Sequence, residues 1–343
     1  MGRPRKNVSI YNIAKAADVS IATVSRVLNN RHEVSPEARA RVQQTLQEFQ
    51  FKPSANGQRK GSIGIVVPEW PGCISLSLYD TRIIEGIASH ALSNDMDCTL
   101  IFHVNEQGGL ADTIRKRSCL AAVLLRPFEL AESELVELAK SGMSIVLANL
   151  RTDFPELGYI DCDSFEAGQK LGAYIAGLGH RRVAFLQDLP EAPNHRSRED
   201  GFFEAFEKHG GRREQCEIIQ TIASRDSASC GFLQAEKALS EHPDLTAIVS
   251  TNDEMAYGVL QSCAKRGLRV PEDISVAGFD NYPLSAHSVP PLTTVEQPLF
   301  EIGKMAAEAA AMCIKSGPIK PIRAILPVEL VVRASTGPRK GLS

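Results

Sequence analysis

Residues 18–29 read DVSIATVSRVLN. A helix that starts after Ser20 puts Val24, Val27 and Leu28 at i, i+3 and i+4, which makes one buried edge. Ile21, Ala22, Ser25, Arg26 and Asn29 fall mostly on the other side, and that side is small, hydroxylated and basic. A helix that only packs would carry a broader apolar stripe with longer polar residues outside it. This outer face is shaped for something that comes very close. Ser20 is a good N-cap, because its hydroxyl accepts from an amide of the first turn. Upstream, IYNIAKAADV sets Ile10, Ile13, Ala14 and Ala17 at helical spacing. Asp18 stands where the chain must turn sharply between the two helices, and Asp tolerates positive φ better than most residues. Two short helices and a tight turn make a helix-turn-helix. Ser35-Pro36-Glu37 then supplies a cap, a first-turn proline and an acid at the positive helix end, so a third helix is expected from Pro36 to about Phe49. The bland alternative is a three-helix mini-domain that packs on something else, since the shape recurs in other settings.

Charge weighs against that alternative. Residues 1–60 hold eleven Lys or Arg and four acids, a net +7, while the whole chain carries −3, which leaves −10 for the remainder. A basic head on an acidic body is the asymmetry expected when one domain meets phosphate and the other does not. The leading GRPRK reads as a basic arm of the kind that lies along a minor groove, or equally as a solvated charged tail.

A chain of 343 residues with 43% hydrophobic content allows two or three globular domains. No apolar run approaches the ~20 residues of a spanning helix, and no apolar signal segment follows the charged N-terminus. The cytoplasm is therefore expected, and no membrane partner. The eight cysteines are scattered, without a C-x-x-C pair, which fits a reducing compartment rather than a zinc site or disulfide framework. No metal and no cofactor is expected.

From residue 62 the pattern changes. SIGIVVP, MDCTLIF, LAAVLLRP and SIVLANL read as strands between helical stretches, and the alternation resumes from about residue 165 through RRVAFLQD, TAIVSTND and ISVAGFDN. Strand-helix alternation on this scale means parallel sheets covered by helices. Two such sets imply two lobes. Open parallel sheets bind ligands beyond their C-terminal strand ends, so facing lobes place those ends around one cleft.

With these motifs in view, the chain resembles the LacI/GalR family of bacterial transcription regulators. VSIATVSRVLN followed by VSPEARARVQ is similar to that family's DNA-binding head. GHRRVAFL, SREDGF, STNDEMAYGVL, VPEDISVAGFDN, PPLTTVEQP and LPVELVVRAST resemble, in order, the landmarks of its sugar-binding-protein-like core. The resemblance implies an all-α helix-turn-helix head plus an α/β two-lobed, periplasmic-binding-protein-like core with parallel sheets. The expected boundaries are a head at 1–52, a short hinge at 53–61, a core at 62–335 and a flexible tail at 336–343. Lobe 1 is expected over about 62–160 and 293–318, and lobe 2 over about 161–292 and 319–335, with crossings near 160, 292 and 320. The implied protein is a homodimer on a pseudo-palindromic double-stranded operator, probing for a small-molecule effector between its lobes.

Within that resemblance the second helix enters the major groove. Ile21, Ala22 and Arg26 then face base edges, and Arg26 suits the O6/N7 pair of guanine. Tyr11, Ser20, Thr23, Ser25 and Asn29 hold phosphates and register. One departure is local. Where relatives carry a hinge helix with an A-R-x-L run, this chain reads FKPSANGQRKGSIG, with Gly57 and Lys60 in the places of the alanine and the wedging leucine. Gly inside a helix costs roughly 1 kcal/mol. A weak hinge is expected, and the alternative function is a sugar-sensing binding protein with little operator-coupled switching.

Effector-binding candidates follow strand ends: Trp70, Arg126, Asn149, Asn252, Asp253 and Asp280. Arg198, in SREDGF, matches the arginine that commonly holds the family's ligand. Guanidinium, carboxylate and amide groups bind vicinal hydroxyls, and Trp70 offers a stacking face, which points to a saccharide or related polar metabolite. The structural readings are an ion pair for Arg198 and Asp280, a helix cap for Asp253, and lobe core for Trp70. Arg126 leaves an acidic ligand open. Nothing reads as an enzyme: there is no H-x-x-x-H pair, P-loop, G-x-S-x-G elbow or early G-x-G-x-x-G. His180, in GLGHRR, reads as ordering a turn before a strand. No leucine heptad follows LPVELVVRAST, so a dimer is expected rather than a coiled-coil tetramer.

Overall fold

The valines of the second helix do close a core. In the computed structural model, which describes residues 10–28, 34–49, 62–68, 76–103, 109–220, 226–316 and 320–339, α1 (Ile10–Ala16) and α2 (Ile21–Leu28) are joined by a tight turn. Asp18 takes φ 51° there, which a short polar side chain tolerates. Ser20 accepts the Thr23 amide at 3.0 Å and so caps α2. Ser35 caps α3 (Pro36–Glu48) by accepting from Ala38, with proline in the first turn. Ile13, Ala14, Ala17, Val24, Val27 and Val42 form one buried cluster.

The larger unit carries two six-stranded sheets. The first is built from β1 (Ser62–Pro68), β2 (Asp97–His103), β3 (Ala121–Leu124), β4 (Ser144–Ala148), β5 (Gly158–Cys162) and β11 (Arg323–Leu326), in the order β11-β5-β4-β3-β1-β2. Its helices are α4 (Leu78–Ser93), α5 (Leu110–Lys116), α6 (Glu132–Lys140) and α11 (Leu299–Ser316). The second is built from β6 (Val183–Gln187), β7 (Glu217–Gln220), β8 (Ala247–Ser250), β9 (Ser275–Asp280), β10 (Thr293–Glu296) and β12 (Glu329–Val331), in the order β12-β10-β9-β8-β6-β7. With it come α7 (Ser164–Gly177), α8 (Pro193–Lys208), α9 (Ser227–Glu241) and α10 (Asp253–Lys265). Central strands such as β3 and β6 are buried along their whole length, as parallel strands covered on both faces must be. Of the described ladders only β10–β12 is antiparallel.

The lobe boundaries differ from those expected. Residues 293–296 pair in parallel with β9, so they belong to lobe 2 and not to lobe 1. Residues 323–326 pair in parallel with β5, so they belong to lobe 1 and not to lobe 2. The crossings therefore follow Cys162, Glu296 and Leu326 rather than falling near 160, 292 and 320. Each strand runs to its end before the chain leaves the sheet. Pro298 and Pro327, just beyond two of those ends, cannot donate to a continued ladder.

The tail is also shorter than expected. Thr336 is buried and bonded to Thr293 at 2.8 Å and to Tyr174 at 2.9 Å. The Arg339 amide donates to Leu178 O at 2.9 Å, so the chain is packed beyond residue 336. The hinge at 53–61 and residues 340–343 lie outside the described residues. Among the described residues no helix is long and apolar enough to cross a membrane.

Candidate functional site

The first candidate surface is the outer face of α2. Val24 and Val27 are buried, while Ile21 and Arg26 point outward with Ile21 44% exposed. This is the two-sided pattern read from the sequence. The Ser20 and Thr23 hydroxyls lie 2.8 Å apart and bond each other, so both sit at the start of the helix on one side of it. Tyr11, Ala22 and Ser25 belong to these helices by backbone, and their side chains are outside the described part. Asn29 lies outside the described residues.

The second candidate is a cleft between the lobes. It encloses about 510 Å³ counted out to its open mouth. Lobe 1 contributes Ser77, Tyr79, Arg126 and Phe128; lobe 2 contributes Asp188, His195, Arg198, Asn252, Glu254, Asp280 and Tyr282 among others. Arg126, Asp188, Asn252 and Asp280 stand at or just past strand ends, as the topology of an open parallel sheet favours.

Arg198 is the centre of it. It is 1% exposed, the largest fully buried side chain in the described chain. Its guanidinium donates to the Thr251 carbonyl, stands 3.8 Å from Asp280 and lies over the Phe279 ring. Its Nε has no hydrogen-bond partner. A buried donor left unpaired is costly. α8 carries Arg198 and His195, and it approaches α7 closely enough that a Cβ at Gly168 would stand 2.1 Å from the Arg198 carbonyl. Glycine in α7 thus sets how deep Arg198 sits.

Asp280 receives the Gln297 amide and the Tyr282 hydroxyl. Its φ is 113°, backbone that L side chains rarely adopt. Burial pushes its pKa up to about 6 against the pull of Arg198. Asp188 accepts from Ser227 at 2.5 Å and from Asn252 at 2.9 Å. His195 Nδ1 is 3.5 Å from Asp188 and makes no hydrogen bond. Burial holds this imidazole well below its usual pKa, with Asp188 pulling the other way. Glu254 accepts from the Leu78 amide across the cleft, and burial together with Asp280, Asp188 and Asp226 pushes its pKa up to about 7.

Four of the expected cleft residues are therefore together: Arg126, Arg198, Asn252 and Asp280. Arg126 lines the wall, but its guanidinium is occupied by Glu129 at 2.9 Å, Asp80 at 3.3 Å and the Pro68 carbonyl at 2.9 Å. Asn252 also caps α10, accepting from the Met255 amide. Two expectations are corrected. Asp253 points away from the cleft wall and accepts from Thr294, Ser285 and the Tyr282 amide, because α10 begins at Asp253 and turns it inward. Asn149 is buried behind the wall, donating to Gln297 at 3.3 Å and accepting from Cys162. Trp70 lies outside the described residues. Asp188, His195 and Glu254 were not anticipated, although Asp188 directly follows RRVAFLQ and meets the same strand-end rule. Among the described residues no group of three or more His, Cys, Asp or Glu could hold a metal ion.

Residues 9–54 match the family model described as bacterial regulatory proteins, lacI family, and residues 173–336 match a periplasmic binding protein-like domain. The HTH-type transcriptional regulator DegA of Bacillus subtilis is 30% identical over 339 residues, covering 96% of this chain and 98% of that one. The lactose operon repressor of Escherichia coli is 29% identical over 351 residues, covering 96% and 91%. A structure of the Lac repressor dimer bound to operator and an anti-inducer shares the fold with a TM-score of 0.71 at 23% identity, covering 97% of this chain and 100% of that one. A cellobiose complex of the regulator CelR shares it with a TM-score of 0.68 at 24% identity, covering 97% and 100%. The basic helix-turn-helix head, the two parallel-sheet lobes and the full-length relatives agree: the chain belongs to the LacI family of bacterial transcription regulators, a DNA-binding protein and not an enzyme.

Proposed function

We propose that this regulator is a homodimeric repressor that reads a pseudo-palindromic operator with α2, and whose operator affinity is set by a polar, saccharide-like effector held between the lobes. The observation that carries the reading is Arg198: a fully buried guanidinium at the cleft, beside Asp280, with Nε unpaired. Arginine and carboxylate side by side bind vicinal hydroxyls through directed, charge-assisted hydrogen bonds. Structural relatives solved with cellobiose and with ribose support a sugar, and repressors of lactose and ribose operons among the sequence relatives support repression. Arg26 supplies a base-reading cation on α2, and Ile21, also exposed at the start of that helix, offers apolar contact for a thymine methyl. A ligand shifts operator affinity only by as much as it prefers one lobe arrangement over the other.

Paired variants test this. Arg26→Ala is expected to cost about 1–3 kcal/mol on the best operator and to flatten base preference at one position per half-site. Arg198→Ala is expected to leave operator binding in the absence of effector intact and to abolish the effector response. Quantitative footprinting on selected operators reads both. An Arg26→Ala protein with unchanged preference would remove α2 from the groove, and an Arg198→Ala protein that still responds to effector would remove the ligand from this cleft.

A further inference from the structure

Three carboxylates line the described part of the cleft: Asp188, Glu254 and Asp280. Two guanidiniums line it as well, but they do not balance the acids. Arg126 is held by Asp80 and Glu129, so it brings no net positive charge. Arg198 stands against Asp280. His195, beside Asp188, is kept neutral by burial. Asp188 and Glu254 are thus left without a cationic counterpart among the described residues. Their nearest donors are neutral: Ser227 and Asn252 for Asp188, and the Leu78 amide for Glu254. The facing wall of lobe 1 includes Tyr79 and Phe128. Carboxylates and aromatic side chains are the two kinds of group that hold a cation.

We infer that the effector carries a protonated nitrogen: an amine-bearing polyol of the amino-sugar class, its hydroxyls on Arg198 and Asp280 and its ammonium beside Glu254 and Asp188. The inference rests on the cleft reading proposed above and adds to it the sign of the ligand's charge. A phosphosugar or uronate would bring a further negative charge against acids already crowded together. That crowding is visible in Glu254, whose pKa is pushed up to about 7 by burial, Asp280, Asp188 and Asp226, and in Asp280, whose pKa is pushed up to about 6 by burial and Asp188 against the pull of Arg198. An arriving cation relieves it and drives both toward ionisation. Binding therefore releases protons near neutrality.

The experiment is calorimetric titration of the full-length protein with glucosamine, galactosamine and mannosamine. Their parent hexoses, the matching uronates and the hexose 6-phosphates form the comparison set. At least one amine is expected to bind about tenfold tighter than its parent, the size of one charge-assisted hydrogen bond. Its binding heat at pH 7 is expected to differ between buffers of different ionisation enthalpy, because protons leave the cleft. Glu254→Gln keeps the shape and removes the charge; it is expected to lower amine affinity about tenfold and the affinity of the parent hexose by clearly less. The inference is overturned if no amine binds, if a hexose or an anion binds tighter than every amine, or if Glu254→Gln weakens amine and parent alike. Arg198→Ala separates the two levels of the argument: a bound compound whose affinity it does not change overturns the cleft reading itself, whatever the compound's charge.

Discussion

Arg126 and Arg198 look alike in the sequence, each a lone arginine expected at a cleft, yet the structure gives them different work. Arg126 follows β3 at φ 44°; it donates to Glu129 and to the Pro68 carbonyl, and its Nε stands 3.3 Å from Asp80 without a hydrogen bond, so two carboxylates offset its charge. Asp80, Glu129 and Pro68 are 46, 3 and 58 positions away in the chain, and no periodicity announces them. Arg198 is buried almost completely and has a single carboxylate, Asp280, near it at 3.8 Å. The strand-end rule located Asn252 and Asp280 but not their orientation, which is why Asn149 and Asp253 turned out to face inward. The same rule applied evenly would have found Asp188. His180 was read as ordering a turn, and the structure makes it a long-range tie: it is buried, with Nδ1 at 3.0 Å from the Thr246 hydroxyl and Nε2 at 3.0 Å from the Gly337 carbonyl. Burial lowers its pKa from the usual 6.5. The folded protein thus binds this proton less readily than the unfolded chain. Its contribution is complete above pH 6.5 and is lost as pH falls from there through the folded value. His180→Ala is expected to cost about 2–4 kcal/mol at pH 8, through two lost hydrogen bonds and a cavity. Urea unfolding from pH 8 to 5 should show a shallower pH dependence in the variant than in the native protein. Equal slopes would mean that His180 is not the group titrating there.

Helices were the most legible elements, because Ser20, Ser35 and Pro36 mark their starts as local chemistry requires. Short strands were harder. β11 is a four-residue edge strand, RAIL, half exposed on alternate positions, and it reads as connection rather than sheet. Helix-to-helix distance was not legible at all. α7 meets α8 through glycines: a Cβ at Gly168 would lie 2.1 Å from Arg198 O, one at Gly172 2.1 Å from Phe202 O, and one at Gly201 2.1 Å from Phe165 O. Backbone cannot give way there as a flexible side chain would. Gly168→Ala is expected to push α8 outward, to cost about 1–3 kcal/mol as an overpacked contact, and to weaken effector binding by displacing Arg198. Gly177, in the last turn of the same helix, has nothing within 4 Å of such a Cβ. Gly177→Ala should therefore be neutral or stabilise by up to about 1 kcal/mol, since alanine loses less backbone entropy. Thermal unfolding of the two variants separates close approach from helix propensity. If both lose stability equally, the close approach of α8 is not what Gly168 provides.

At the scale of the whole molecule, the sequence implied three crossings between two lobes, and the structure has three, displaced to the ends of β5, β10 and β11. The resemblance put one crossing near 292, although TTVE, within PPLTTVEQP, is a strand of lobe 2 paired on both sides. What the corrected positions bring together is a buried polar junction. Gln297, just past β10, accepts from Asn149 at 3.3 Å and from the Cys162 thiol at 3.2 Å, and it donates to Asp280. Cys162 ends β5, and its pKa is pushed up to about 12 by burial, so it stays a neutral donor at ordinary pH. Asn149 also meets the hydroxyl of Tyr79 on the cleft wall. A chain of hydrogen bonds thus runs from the carboxylate beside Arg198 to the ends of β5 and β10, where the chain crosses between the lobes. Networks of this kind hold or fail as units, since an unpaired buried amide costs about 1–3 kcal/mol. Asn149→Ala and Gln297→Ala are each expected to destabilise the protein, and the double variant by less than their sum, with a coupling of about 0.5–3 kcal/mol for residues in direct contact. The cycle is read by urea unfolding at pH 7.5. Strict additivity would mean that the two amides hold their strands separately, and that a ligand on Asp280 has no route through Gln297 to the crossings. Coupling would make this junction the place where occupation of the cleft is felt by both lobes, because Asp280 is at once a wall of the cleft and a member of the network.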